Sequence, residues 1–339
     1  MDSGLRQRSL SRRTFLKVGA GAMAAVGLAT PTLSACVPAS PAYPTKAINM
    51  IIPLAAGSAP DATFRLLASE AEKDLGQKIV IINRVGPGGT TGVAETLQSK
   101  PDGYTIGMCA VAMVTVQQHM QDVPYKGPDD LTPIVQVDEA YTVLYVKADS
   151  PFKSLKDVLD EAKKRAEKVT IAVAGGSYNI LHIELVLLEK LAGVKFNLVP
   201  YDAAQHITAV LGGTVEAGIG QVALLSQHVK AGTMRGLTVF GSKRAKGMED
   251  IAMAKELGYD ITDVPYEFVM GPKGLPKEVV DKLVPAFTKA AKSQAFIDYC
   301  DKSGLVYAVE PADVLMKRLQ NDAIRYKALI DELGWAKKK

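Results

Sequence analysis

With 339 residues, of which 47 % are hydrophobic and 22 % charged, the chain is long enough for one large domain or two lobes with cores of their own. Its formal charge of +4 is already carried by residues 1–35, where Arg6, Arg8, Arg12, Arg13 and Lys17 face Asp2 alone. The remaining basic and acidic residues cancel, so the body has no surplus of positive charge for neutralising phosphates, and nucleic-acid binding is excluded as its business.

The first segment, "SRRTFLKVGAGAMAAVGLATPTLSAC", has a basic start, a short apolar stretch and small residues ahead of a cysteine, which is the layout of an export signal. Arg12-Arg13 followed by Phe15-Leu16-Lys17 resembles a twin-arginine signal. A membrane-spanning anchor is the rival, but a helix needs about 20 apolar residues to cross a bilayer. Val18 to Ala29 falls short of that and is rich in Gly and Ala. Leu33-Ser34-Ala35-Cys36 resembles a bacterial lipobox, which would lipidate Cys36 and leave residues 37–42 as a tether. The alternative is an ordinary cleavage site beside a cysteine. Of the other two cysteines, Cys109 lies in an apolar run, which favours buried thiols over a Cys109–Cys300 bridge.

The body alternates strand and helix patterns. "AINMIIPL" reads as a strand, "DATFRLLASEAEKDLG" as a helix closed by Gly76, "KIVIIN" as a strand, "VAETLQSK" as a helix and "GYTIGMCAVAM" as a buried strand. "TPIVQVDEAYTVLYVKADS" reads as one long strand. The alternation then restarts with a helix capped by Ser154. It continues through "VTIAVA", "ILHIELVLLEKLAG", "FNLVPY", "AAQHITAVLGG", "VEAGIG", "ALLSQHVKAG" and "GLTVFG". "YEFVMGPKGLP" reads as a return strand, with helices from Lys277 to the end. This pattern predicts an α/β fold of two lobes, the second inserted into the first, with a ligand cleft between them. The expected divisions are 1–35 for the signal, 36–42 for the tether, 43–137 with 267–339 for lobe 1, and 138–266 for lobe 2.

Two strand-to-helix loops stand out. "IIPLAAGSAPDA" puts Gly57 in a turn and Asp61 near a helix start, where free N–H groups and the helix dipole favour anions. An ordinary turn with Asp61 as cap fits equally well. "AVAGGSYNILHIEL" repeats the arrangement, with Gly175-Gly176 admitting close approach, Ser177, Tyr178 and Asn179 as donors, and His182 facing a cleft or merely packing. "NRVGPGGTTG" lacks the third glycine of a dinucleotide fingerprint and reads as a structural turn. The four histidines are scattered without metal-ligand spacing, and no nucleophile elbow is present. No metal, cofactor or catalytic residue is therefore assigned.

From Tyr43 to Trp335 the chain resembles the receptors of tripartite tricarboxylate transporters, the Bug family. The resemblance rests on an ordered series of blocks: "YPTKAINMIIPLAAGSAPD", "GQKIVIINRVGPGGTTG", "PDGYTIGM", "PYKGPDDLTPI", "AVAGGSYNILH", "VPYDAAQHITAVLGGTVEAG", "HVKAGTMRGLTV" and "GPKGLPKEVVDKL". It implies a non-catalytic periplasmic receptor, monomeric and without cofactor. Such a receptor binds a small organic carboxylate and passes it to membrane permease subunits, here while held at the outer face of the membrane through Cys36. The ligand-binding positions it implies are Leu54, Ala55, Ala56, Gly57, Ser58, Ala59, Asp61, Ala110, Val111, Gly175, Gly176, Ser177, Tyr178, Asn179, His182, Tyr201 and Gln221. Three departures are apparent: Gly57-Ser58 replaces a Gly-Gly pair, Cys109 to Met113 replaces small hydroxyl residues, and Gln221 replaces a strand-end Asp. With Phe64 added one turn into the first helix, these predict a ligand with one anionic end and an apolar or aromatic body. A sensor feeding a membrane signalling protein is the alternative reading, and an exported enzyme a more distant one.

Overall fold

The structure is a computed structural model that describes residues 43–201 and 205–336. Arg12-Arg13, Cys36 and the tether lie outside those residues.

The chain opens with β1 (Ile48–Ile52), α1 (Ala59–Leu75), β2 (Ile79–Asn83), α2 (Thr90–Leu97) and β3 (Thr105–Ala110). Two short helices, α3 (Val111–Thr115) and α4 (Gln117–Met120), lead to β4 (Leu131–Glu139). Then come β5 (Thr142–Lys147), α5 (Leu155–Lys164), β6 (Thr170–Ala174), α6 (Ile180–Ala192) and β7 (Asn197–Tyr201). α7 (Gln205–Leu211), β8 (Ala217–Gln221), α8 (Val222–Lys230) and β9 (Met234–Phe240) follow. The chain ends with β10 (Tyr266–Pro272), α9 (Lys277–Ala291), α10 (Gln294–Ser303), β11 (Val306–Pro311) and α11 (Ala312–Glu332).

These strands form two sheets. One has the order β11-β4-β10-β3-β1-β2 and the other β7-β6-β8-β5-β9. β1 pairs in parallel with β2 and β3, and β6 with β7 and β8, as helical crossovers require. β10 runs antiparallel to β3 and β4, so β4 is parallel to β3. The expected long strand is in fact two, β4 and β5, which belong to different sheets. The apolar run is continuous in sequence, and only pairing partners reveal the break at Ala140-Tyr141. β11 was also missed: its residues are mostly half-buried, so no alternating pattern marks it within a helical stretch.

Helix α6 is apolar nearly all round and is accordingly buried on several sides. Leu181, Leu185 and Leu188 pack into the core of the second sheet. Ile180, Ile183 and Val186 join a cluster with Val111, Val114 and Phe268 of the first lobe and Leu319 and Tyr326 of α11. One helix of the second lobe thus shares an apolar cluster with the first.

Charge reinforces the crossings. The Ala140 N–H donates to Pro265 O at 2.8 Å, tying the outgoing strand to the returning one. From α11, Arg318 pairs with Glu139 at 2.6 Å and stacks 3.9 Å from the Tyr266 ring centroid. Arg325 reaches both Asp263 and Asp322, and the Tyr266 hydroxyl donates to Asp322 at 2.8 Å.

Glu184 of α6 is fully buried and accepts one bond, from the Thr142 hydroxyl at 2.6 Å, while Oε1 has no partner. Burial pushes its pKa well up, and Asp263 adds to the effect. A carboxyl whose folded pKa is raised costs stability as pH climbs above its unfolded value, and costs nothing below it. Glu184→Gln is therefore expected to raise the thermal midpoint at pH 8, by roughly 2–4 °C per kcal/mol relieved. The gain should vanish near pH 4, and a pH series of melting curves checks it.

Candidate functional site

The β1–α1 loop is built on one carboxylate. Asp61 is 3 % exposed, and its Oδ2 accepts the Gly57 N–H at 2.9 Å and Arg65 Nε at 2.8 Å. Its Oδ1 accepts Asn83 Nδ2 at 2.9 Å, and the same amide donates to Leu54 O at 3.0 Å. The Arg65 hydrogen bond first, then those from Asn83 and Gly57, lowers the Asp61 pKa to about 2. The helix cap is Ser58, whose hydroxyl accepts the Asp61 N–H at 3.4 Å. Asp61 thus braces the loop from beneath, and Ala55, Ala56 and Gly57 are left exposed, with Leu54 and Ser58 half-buried and Ala59 exposed. Gly57 turns the chain at φ +82°, and its N–H is spent on Asp61. Phe64 does not line a cleft: it is fully buried with Ile48, Met50 and Leu67 in the first core.

The β6–α6 loop is held from several sides. Asn179 caps α6 by accepting the His182 N–H at 3.0 Å, and its amide donates to Ala174 O at 2.8 Å. Gly175 and Gly176 take φ of +78° and +86°, where a side chain would be strained, and Gly176 N–H donates to Tyr201 O at 3.0 Å. Tyr178 adopts φ +61° without being glycine, a conformation costing about 1–3 kcal/mol that its surroundings must supply. They do so at three points. Its N–H donates to His182 Nδ1 at 3.1 Å, its ring stacks on His182 at 5.8 Å and meets Trp335 edge-on at 5.3 Å, and its carbonyl accepts Gln117 Nε2 at 3.4 Å. Burial lowers the His182 pKa to about 4, so the ring is neutral at physiological pH, and an accepting Nδ1 places the proton on Nε2. Ser177 stands exposed beside it.

Both loops leave the carboxyl ends of parallel strands, where open α/β sheets bind ligands. Leu54 and Ala110 pack against the apolar cluster that includes Ile180, and Gln117 spans from α4 to Tyr178 of the second loop. Ala110 ends β3 and is half-buried, as are Tyr201 at the end of β7 and Gln221 at the end of β8. Val111 is not available to a ligand: at 1 % exposure it is the first residue of α3 and packs inward. Residues 202–204, beyond Tyr201, lie outside the described part. Two grooves flank this region. One of about 530 Å³ runs from His182 and Trp335 past Glu189 and Leu198, and one of about 520 Å³ lies beside it, between α5, α6 and α11.

Sequence reasoning missed Trp335 and Gln117. Trp335 is the chain's one tryptophan and follows Gly334 at the end of the last helix, a position that carries no motif. Among the described residues no group of three or more His, Cys, Asp or Glu side chains could hold a metal ion, and Cys109 and Cys300 are free and buried.

Two outcomes are expected. Asp61→Asn should cost about 1.5–3 kcal/mol in denaturant unfolding at pH 7, because hydrogen bonds to a charged group are lost. With the folded pKa depressed, that difference should shrink as pH falls from about 4 through about 2. Trp335→Ala should weaken ligand binding about tenfold by freeing Tyr178, while Trp335→Phe restores it; titration calorimetry on both variants checks this.

The family model for "tripartite tricarboxylate transporter family receptor", TctC, matches residues 63–335. Protein BugT of Bordetella pertussis is 28 % identical over 92 % of this chain and 97 % of its own. A TctC solute-binding protein from Polaromonas, solved without ligand, is 28 % identical with a TM-score of 0.75, over 86 % of this chain and 99 % of that one. MatC from Rhodopseudomonas palustris, solved with bound malate, has a TM-score of 0.70 at 22 % identity over 85 % and 100 %, a likeness of fold alone. With the family model matching residues 63–335, the greater part of its length, the chain belongs to the tripartite tricarboxylate transporter receptor family.

Proposed function

We propose that the protein is an extracytoplasmic receptor that captures a small organic carboxylate between its two lobes and delivers it to the permease subunits of a tripartite tricarboxylate-type transporter. The observation that carries this is the pair of strand-to-helix loops, 54–59 and 174–182, at the carboxyl ends of the two sheets. The relative MatC holds malate in the same fold, which supports a carboxylate as cargo. Anion capture needs no arginine here. Each hydrogen bond to a charged group contributes about 1.5–3 kcal/mol, so several together reach the roughly −8 kcal/mol of micromolar binding.

In this reading residues 43–137 and 267–339 form lobe 1 and 138–266 lobe 2. The ligand meets Ala55, Ala56, Ser58 and Ala59 on one side. On the other it meets Gly175, Ser177, Tyr178 and Gln221. Asp61, Asn179 and His182 hold those surfaces in shape. The chain acts as a monomer, binds without turning its ligand over, and uses no cofactor. Its first 35 residues direct twin-arginine export, and Cys36 carries the lipid that keeps the receptor beside its permease; one acyl chain anchors only marginally, so several are required. Among the described residues no helix is long and apolar enough to cross a membrane.

Native mass spectrometry of the full chain, purified without denaturation, tests the reading. The expected result is a co-purified carboxylate of a few hundred daltons or less that is displaced by no more than micromolar competitor. Chemical conversion of that molecule on incubation would overturn it in favour of an enzyme.

A further inference from the structure

One imidazole stands at the centre of the second ligand loop. The Tyr178 N–H donates to His182 Nδ1 at 3.1 Å, and the two rings stack with centroids 5.8 Å apart. Trp335, just past the end of α11, closes on both, 4.7 Å from the His182 ring and 5.3 Å from that of Tyr178. Tyr178 meanwhile holds φ +61°, a conformation that a residue other than glycine keeps only where its surroundings impose it.

An imidazole accepts a hydrogen bond only through an unprotonated nitrogen. A proton on Nδ1 would meet the Tyr178 N–H donor to donor, so the neutral ring and this loop conformation go together. The surroundings supply no counter-charge for a cation here. The charged groups that share a groove with His182 are Glu167, Glu189 and Lys195; Glu189 and Lys195 pair with each other at 2.9 Å, and Glu167 is exposed. From α11, Glu332 is spent on Lys190, and α4 brings only the uncharged Gln117 to the Tyr178 carbonyl. Lys337 to Lys339 follow Trp335 and lie outside the described residues. The Tyr178 and Trp335 rings would attract a cation, yet burial outweighs them and lowers the His182 pKa from 6.5 to about 4. A histidine held below its ordinary value takes up a proton more readily once its loop is released. Falling pH therefore favours release, over the window from 6.5 down to about 4. The groove of about 530 Å³ that His182 lines gives water, and so the proton, a way to the ring.

We propose that His182 is a pH-operated latch on the second ligand loop: the neutral ring pins Tyr178 in the binding shape, and protonation frees residues 175–178. The proposal rests on the receptor reading, in which those residues meet the ligand, and adds a condition to it, that the loop is competent only while the ring is neutral. The release is local. Asn179 accepts the His182 N–H and donates to Ala174 O without any titrating group, so α6 keeps its cap when the ring is charged.

Hydrogen exchange of the full chain tests the latch, read by mass spectrometry on peptides spanning residues 174–182 and corrected for the intrinsic rate at each pH. From pH 6.5 to pH 4 the corrected exchange of the loop is expected to rise about tenfold or more. The emission of Trp335, the chain's one tryptophan, should change over the same range while far-ultraviolet dichroism stays constant. His182→Asn offers an amide oxygen to the Tyr178 N–H that takes no proton in this range, and its loop exchange should stay within about twofold. Exchange that is flat with pH in the wild-type chain overturns the proposal, as does an equal rise in the variant. If His182→Asn does not fold, the His182 ring signal of the wild-type chain, identified in magnetic resonance spectra by its contact with the Trp335 ring, decides instead: a pKa at or above 6.5 overturns the latch and a value well below it supports the latch. None of these readouts needs a ligand. Their failure leaves the receptor function standing, whereas chemical conversion of a co-purified carboxylate would sink that function and not the latch.

Discussion

The double crossing between the sheets is the constraint on which everything else depends. Two strands, β4 outgoing and β10 returning, pair antiparallel through register shifts, and Ala140 N–H to Pro265 O extends that pairing to the crossing. Where two bodies move relative to each other, hinges are a few residues at element ends that absorb the φ/ψ change. The third tie is α11. Its Arg318 and Arg325 reach Glu139, Asp263 and Asp322, so the residues beside both crossings are gripped by one helix. Such partly buried pairs are weak contributors to net stability but costly to break singly, which suits a joint that must keep its geometry.

From this joint the site follows. With β4 parallel to β3, the rim of the first sheet collects the ends of β1, β3 and β4 and the start of β10. The loops that leave this rim are kept in shape by side chains that do not themselves face outward. Asp61 spends both oxygens on Gly57, Arg65 and Asn83. Asn179 and His182 do the equivalent work for the second loop. The strained backbone of Tyr178 is the place where this support is most visible, because a ring from the chain's end, an imidazole and an amide from the other lobe all converge on one residue.

Two buried carboxyls, Asp138 and Glu184, show a second theme. Each has one oxygen removed from water without a partner, and each has its pKa pushed up by burial. Glu184 sits where α6 meets the start of β5. Asp138 sits near the end of β4, opposite Glu267 of β10. The same physics acts at both: each unpartnered oxygen is a cost that the rest of the fold carries.

How much was legible beforehand divides along physical lines. Local chemistry was readable: Ser154 caps α5, Gly76 ends α1, and Gly175-Gly176 open the second loop, because caps and left-handed turns depend on a few adjacent residues. The alternation of strands and helices, and hence the α/β class, came from periodicity alone. Pairing was not readable. The apolar run from Leu131 to Lys147 looks like one strand, and only its partners split it between two sheets. Phe64 looked like a cleft aromatic and is core, since helix phase does not say which neighbours a face meets. Gln117 and Trp335 reach Tyr178 from about 60 and about 160 residues away in the chain, and nothing in their own surroundings marks them. The sequence by itself determined most of the elements and the two loops; the tertiary structure alone decided where strands break between sheets and which distant side chains brace the loops, because strand order is set by non-local contacts that no short stretch encodes.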